Sequence, residues 1–336
     1  MKKIFRTTYL ALLLIAGLSC NNDPMPDAPK EQRPISFDNI ATRAGLSDLK
    51  TNGFGVWAIV NSDILTNHIL MDNQKVKYDN VLVWHYDPVQ YWIDNSIFDF
   101  VATYPYDESR TYFSYNAENN AVELEVSETP SQIDFLVATN ETNTSEDYNP
   151  TVNLQFKHML TSVGLNIWRD NGKHQNDQMR IKTVTLGNIL KSGAYSTANT
   201  GAWTYNGDKL TVKVVNTDEP TDDDNIGAVI VKDDGTLEAH GGKDAYHFDH
   251  IMLLPQTLDD SNVVSLKIVY ELKRQNAADW EEAELETVLP SSTWEAGRRY
   301  TYNVVLSSVT DITIYYIQTK VDPWGTPQVG GTVIIK

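Results

Sequence analysis

The strongest constraint on this chain is a two-residue alternation of apolar and polar side chains that returns in segment after segment. Phe98, Phe100, Ala102 and Tyr104 interleave with Asp99, Val101 and Thr103. Val122, Leu124 and Val126 alternate with Glu123 and Glu125, and Val152, Leu154 and Phe156 with Asn153 and Gln155. The same spacing joins Leu210, Val212 and Val214; Val264, Leu266, Ile268 and Tyr270; Tyr300, Tyr302, Val304 and Leu306; and Ile312, Ile314 and Tyr316. Successive side chains of a strand point to opposite faces, so this period describes strands with one buried and one wet face. Many such strands with polar turns between them predict an all-β fold class built from antiparallel sandwiches. Helix signals are few. Residues 277–288 read either as a short acidic helix or as a hairpin arm. Polar loops are expected at 140–149, 170–177 and 218–225. The chain is long enough for two domains, and the loop at 170–177 is the expected junction.

The N-terminus carries a different signal. Lys2, Lys3 and Arg6 precede an uncharged, mostly aliphatic run over residues 9–18, followed by Ser19 and the chain's single cysteine, Cys20. The run is too short to span a bilayer and suits the core of an export signal over residues 1–19. A thiol at the cleavage point is what a bacterial lipoprotein needs, because its sulfur takes a lipid. The other reading is an ordinary secretory signal beside an unrelated cysteine; Gly17 stands where leucine is more usual. Residues 21–32, with Pro24, Pro26 and Pro29, read as a tether. Loss of Lys2, Lys3 and Arg6 with the signal takes the net charge from −18 to −21. Such a surface is a poor match for nucleic acid, which needs basic patches.

Catalytic constellations do not assemble from these residues. His247 and His250 flank Asp249, but odd spacing along a strand would set the two histidines on opposite faces. Asp222, Asp223 and Asp224 lack the interleaved glycine and distant glutamate of a calcium loop. Glu281 and Glu282 are neighbours that face apart in a strand. Hence no enzyme, cofactor or metal is expected. Trp84, Tyr86, Tyr91 and Trp92 could stack against sugars. The competing reading places them in a core, and the shared parity of Trp84 and Tyr86 favours it.

A series of short blocks then runs in order along the chain. Ile35-Ser36-Phe37 is followed by Thr42-Arg43-Ala44. Next come Val83-Trp84-His85-Tyr86-Asp87-Pro88, Tyr91-Trp92 and the stretch from Phe98 to Pro105. Asp134-Phe135-Leu136-Val137-Ala138 and Leu154-Gln155-Phe156-Lys157-His158 continue it, then Met252-Leu253-Leu254-Pro255-Gln256, Trp294-Glu295-Ala296-Gly297 and Tyr300-Thr301-Tyr302-Asn303-Val304. Behind a lipoprotein signal, this order resembles the fimbrillins of Bacteroidetes, the pilin-like lipoproteins that build type V pili. Met159-Leu160 departs from the family's usual small residue and leucine.

The resemblance implies two tandem transthyretin-like β-sandwich domains, at 44–170 and 171–336, behind a lipidated tether and leader strand at 20–43. It implies a precursor moored to the outer membrane through Cys20 and cut after Arg43, before Ala44, by an arginine-specific surface protease. The leader strand, residues 35–40, would then leave a groove for a strand of another fimbrial subunit, as in β-strand addition. Against this stands the reading of Arg43 as an ordinary surface arginine. The donor candidate is the segment 329–336, where Val329 and the pair Gly330-Gly331 precede Val333, Ile334 and Ile335. Two glycines allow a hinge, and an apolar end must pair with something, if only within its own domain. The implied role is a structural, tip or anchor subunit of a fimbria that mediates adhesion. The alternative is a glycan-binding surface lipoprotein.

Overall fold

In the computed structural model, alternation becomes strand nearly everywhere it occurs. The structure describes residues 32–42, 46–79, 84–147, 150–170, 177–199, 202–216, 226, 228–231, 237–240, 246–248, 250–306, 312–317 and 332–334. These residues are almost all β. With strands numbered in chain order, the first sheet runs β1 (Phe37–Thr42), β9 (Val152–His158), β8 (Leu136–Asn143), β5 (Ser96–Tyr104), β2 (Phe54–Ser62), β3 (His68–Tyr78) and β4 (Trp84–His85). Its pairs are antiparallel except at one edge, where β1 lies parallel to β9.

The sheet is curled, and its two edges meet. Pro34 bridges to Tyr91, and the Phe37 ring stands 5.6 Å from the Tyr86 ring. Inside the curl lies a core containing Phe54, Val56, Ala58, Val60, Phe98, Phe100, Leu136 and Phe156. The opposite parity of the same strands, Trp57, Ile59, Val101 and Val137, enters a second cluster on the outer face.

That outer face is covered by a smaller sheet of β13 (Trp203–Tyr205), β12 (Gly193–Ser196), β7 (Ala121–Val126) and β6 (Phe113–Asn116). Its middle pair joins early and late chain, with Leu124 opposite Tyr195 and Val126 opposite Gly193. The seam between the two halves is therefore a continuous ladder as well as an apolar cluster.

The later half stacks two more sheets on a third core. One holds β16 (Leu237–His240), β15 (Ala228–Val231), β10 (Thr161–Asp170), β23 (Arg299–Leu306), β24 (Ile312–Ile317) and β25 (Thr332–Ile334), with β17 (Tyr246–His247) and β18 (Ile251–Leu253) also on β10. The other holds β14 (Lys209–Asn216), β11 (Gln178–Leu190), β20 (Ser265–Lys273) and β21 (Glu281–Val288). Val163, Leu165, Ile181, Ile268, Trp294 and Tyr302 meet between them. A short pair, β19 (Gln256–Leu258) with β22 (Ser292–Trp294), completes the strands.

Several expectations change. The chain passes from the first sheet to the later one at Met159-Leu160, before β10, whereas the junction was expected at 170–177; residues 171–176 lie outside the described residues, as do 217–225. Residues 140–143 are strand, not loop, because their backbone pairs with β5 from Ile97 to Phe100 despite polar side chains. Residues 281–288 form an edge strand, which settles the helix-or-hairpin choice. The leader strand runs on to Thr42, past its expected end at Ile40. A short helix, α1 (Leu46–Asn52), was not foreseen. It stops at Gly53, whose φ of 75° suits a residue without a Cβ and whose N–H reaches the Leu49 carbonyl at 2.8 Å.

Candidate functional site

The leader closes the first sheet as a separable stave. Ile35 and Phe37 are 2 % and 5 % exposed, and Ile40 is buried with them. These spacings set one face of an extended segment inward, with an irregularity between Asp38 and Ala41 that resets the register before Ile40's neighbours pair. The Phe37 ring meets Phe54, Tyr86 and Phe100 edge-on, at centroid distances of 6.4, 5.6 and 6.0 Å. Each such side chain contributes about 1.5–3 kcal/mol by burial.

Main-chain bonds hold the segment on both sides. The Val152 N–H donates to Ser36 O at 3.0 Å. On the other flank, the Ile35 N–H donates to Gln90 O and the Trp92 N–H to Arg33 O, both at 2.9 Å. The Tyr86 hydroxyl donates to Ile35 O at 2.8 Å. Burial pushes the Tyr86 phenol up to about 12.

Beneath the leader, the seat is aromatic and aliphatic, and β9 beside it alternates buried and exposed side chains along its whole length. A sheet edge with that pattern is a template for an added strand. The leader joins the body covalently only through residues 43–45, between β1 and α1. A single cut there separates the two without breaking any other chain connection.

One polar element of this site went unread in the sequence. Arg33, only 8 % exposed, pairs through its guanidinium with the Asp94 carboxylate on the body. The signal was available: Arg33, Ile35 and Phe37 share a parity.

Of the expected site residues, Cys20, Arg43, Ala44, Val329 and Ile335 lie outside the described residues. Val333 and Ile334 lie in β25, which pairs antiparallel with β24 at the end of the later sheet. The aromatic quartet does not share one exposed face. Tyr86 and Trp92 are core, and Trp84 packs on Phe54 and Tyr78. Of the four, Tyr91 alone is exposed, at 39 %.

His247 bonds Asn166 at 2.7 Å and His250 bonds Thr301 at 2.9 Å, and Asp249 lies outside the described residues. Among the described residues, no three His, Cys, Asp or Glu side chains gather as metal ligands, and no helix is long and apolar enough to cross a membrane.

A family model described as fimbrillin-like matches residues 42–324. Among solved structures, a fimbrial protein of Bacteroides vulgatus is similar at 17 % identity with a TM-score of 0.62, covering 89 % of this chain and 99 % of its own. That likeness shows a shared fold. A Bacteroides uniformis protein attributed to cell adhesion is 16 % identical with a TM-score of 0.48, covering 89 % and 98 %. Comparison with the curated proteins returned no match.

Proposed function

Because the chain belongs to the fimbrillin-like family, and so to the fimbrial and adhesive proteins of the cell surface, we propose that it is a fimbrial subunit assembled by β-strand addition. The observation that carries this is the seating of residues 33–42. The side chains of Ile35, Phe37 and Ile40 fill the apolar groove, main-chain bonds reach both flanks, and one short link ties the segment to the body. Export as a lipoprotein through Cys20 delivers the precursor, which reads as two sandwich domains meeting at Met159-Leu160. An arginine-specific protease cuts between Arg43 and Ala44, the leader departs, and a strand from another subunit takes its place. Val329, Val333, Ile334 and Ile335 belong to the proposed donor strand. In this reading the protein works by assembly and adhesion and needs no cofactor.

The test is limited digestion of the folded precursor with an arginine-specific protease. Cutting is expected after Arg43 and not after Arg33, whose side chain is buried and whose next residue is Pro34. The product should form multimer ladders that resist mild detergent. An Arg43→Ala precursor that is trimmed and polymerised normally would show the site to be wrong.

A further inference from the structure

The leader enters the first sheet at one end and leaves it at the other. At the entry, Arg33 meets Trp92 and Asp94, and Pro34 bridges to Tyr91; at the exit, Thr42 lies opposite Phe156. The entry end is also where β2 turns into β3, because Ser62, the last residue of β2, pairs with Ser96, the first of β5. That turn is tightly built. The Ser62 N–H donates to Leu65 O at 2.9 Å, the Leu65 N–H donates to Ser62 Oγ at 3.1 Å, and the Asn67 N–H donates to Asn61 Oδ1 at 2.9 Å. Leu65 packs against the core, whereas Ile64 beside it is 89 % exposed, more than any other large apolar side chain among the described residues. Tyr91 and Ile97, also exposed, stand just behind it at the same end. A side chain held out by a fixed turn cannot fold back under its loop, so it stays in water unless another surface covers it.

We propose that Ile64, with Tyr91 and Ile97 behind it, rests in the interfacial layer of the membrane that holds the lipid on Cys20. This rests on the lipoprotein reading. Residues 21–32 are all that separate Cys20 from Arg33 at the entry end. A segment of that length spans about 20 Å as a flexible coil and about 40 Å drawn out, so the lipid keeps this end close to the bilayer. At such range a weak contact suffices, because the tether makes it an intramolecular event. An aliphatic tip enters the boundary between head groups and acyl chains, and a tyrosine suits the head-group level. The lipid surface that fits carries no net charge, because Asp63, Glu146 and Asp147 are exposed at the same end and repel anionic head groups. The contact also sets the precursor's orientation. From Arg33 to Thr42 an extended chain rises about 30 Å, so the link at 43–45 points away from the membrane, where a surface protease meets it.

The test uses the full-length lipidated precursor in phosphatidylcholine vesicles that contain nitroxide-labelled lipid. With the Cys20 sulfur carrying lipid, Ile97→Cys supplies the single free thiol for an environment-sensitive fluorophore, and Asn52→Cys, in α1 at the other end of the sheet, is the reference. The label at 97 is expected to shift to the blue and to be quenched by the nitroxide lipid, while the label at 52 keeps its spectrum in water. Adding Ile64→Asp to the Ile97→Cys protein should abolish the quenching, and anionic lipid should weaken it. Vesicle flotation reads the tether separately. A precursor that floats but gives equal, unquenched spectra at 97 and 52 overturns the contact and leaves the lipoprotein reading standing. A precursor that does not float overturns both. Quenching at 97 that survives Ile64→Asp, or an Ile64→Asp precursor that keeps its membrane signal yet no longer forms multimers after cutting, shows that Ile64 serves another purpose and overturns the proposal.

Discussion

Tyr86 donates its phenol hydroxyl to the main-chain carbonyl of Ile35 at 2.8 Å, so the body grips the leader by an atom that every strand possesses. The grip on the other flank, from Val152 N–H to Ser36 O at 3.0 Å, is main chain to main chain. Such contacts hold a strand without reading its sequence, and the side-chain pockets supply the discrimination. A seat built this way can exchange one occupant for another.

Phe37 is the largest plug in that seat. Phe37→Ala removes a ring that touches Phe54, Tyr86 and Phe100. The expected loss in precursor stability is toward the lower end of about 3–5 kcal/mol, because a loosened leader can detach. Chemical denaturation measures it, and hydrogen exchange should show β9 amides opening before those of β2. An unchanged midpoint with full protection of β9 contradicts the leader's role as a closing strand.

Alkaline pH gives a separate handle. Burial pushes Tyr86 and Tyr302 from 10.0 up to about 12. Between those values the unfolded chain releases phenol protons that the folded chain retains, so the unfolded state binds fewer protons and stability falls as pH rises. Stability should be level with respect to these groups below pH 10 and decline between 10 and 12. Tyr302→Phe, at a fully buried site, should flatten part of that slope. A decline of equal steepness in wild type and variant contradicts the assignment.

Cys20 and Arg43 make a linked prediction. Labelling cells with a lipid analogue should mark the precursor and leave Cys20→Ser unmarked. The product that begins at Ala44 should carry no label, because its lipid leaves with the leader. Label on that product contradicts the order of events, and equal labelling of Cys20→Ser refutes lipidation.

The strands themselves were legible because period-two burial is a local property. Leu124 and Val126 are buried and Glu125 is exposed, as alternation requires. Neighbours were not legible, because alternation says which face is buried and not which strand lies alongside. Nothing local to Val122–Val126 announces a ladder with Tyr195, and β10 looks the same whether it ends one sheet or begins another. Asn140 and Asn143 became strand because β5 offered a partner, a tertiary demand that outweighed their polarity. At the site, a strand is expected over residues 35–40; the strand begins at Phe37, and Ile35, Phe37 and Ile40 are buried together. Arg33 was missed because a charged residue seldom joins a buried face without a partner, and Asp94 lies far along the chain.

The most direct test places a cysteine on each side of the proposed contact. Asn153→Cys lies exposed on β9, beside the leader, and Thr332→Cys lies in β25. Once cut after Arg43, the chain holds no native cysteine, so every disulfide joins introduced cysteines, and the two single variants report any bond between like positions. Oxidised fibres of the double variant should yield covalent chains of subunits, while the uncut precursor stays monomeric. Fibres that form normally yet give no intermolecular disulfide, for this pair or for Thr151→Cys and Gln155→Cys along the same strand, would contradict assembly through the vacated groove.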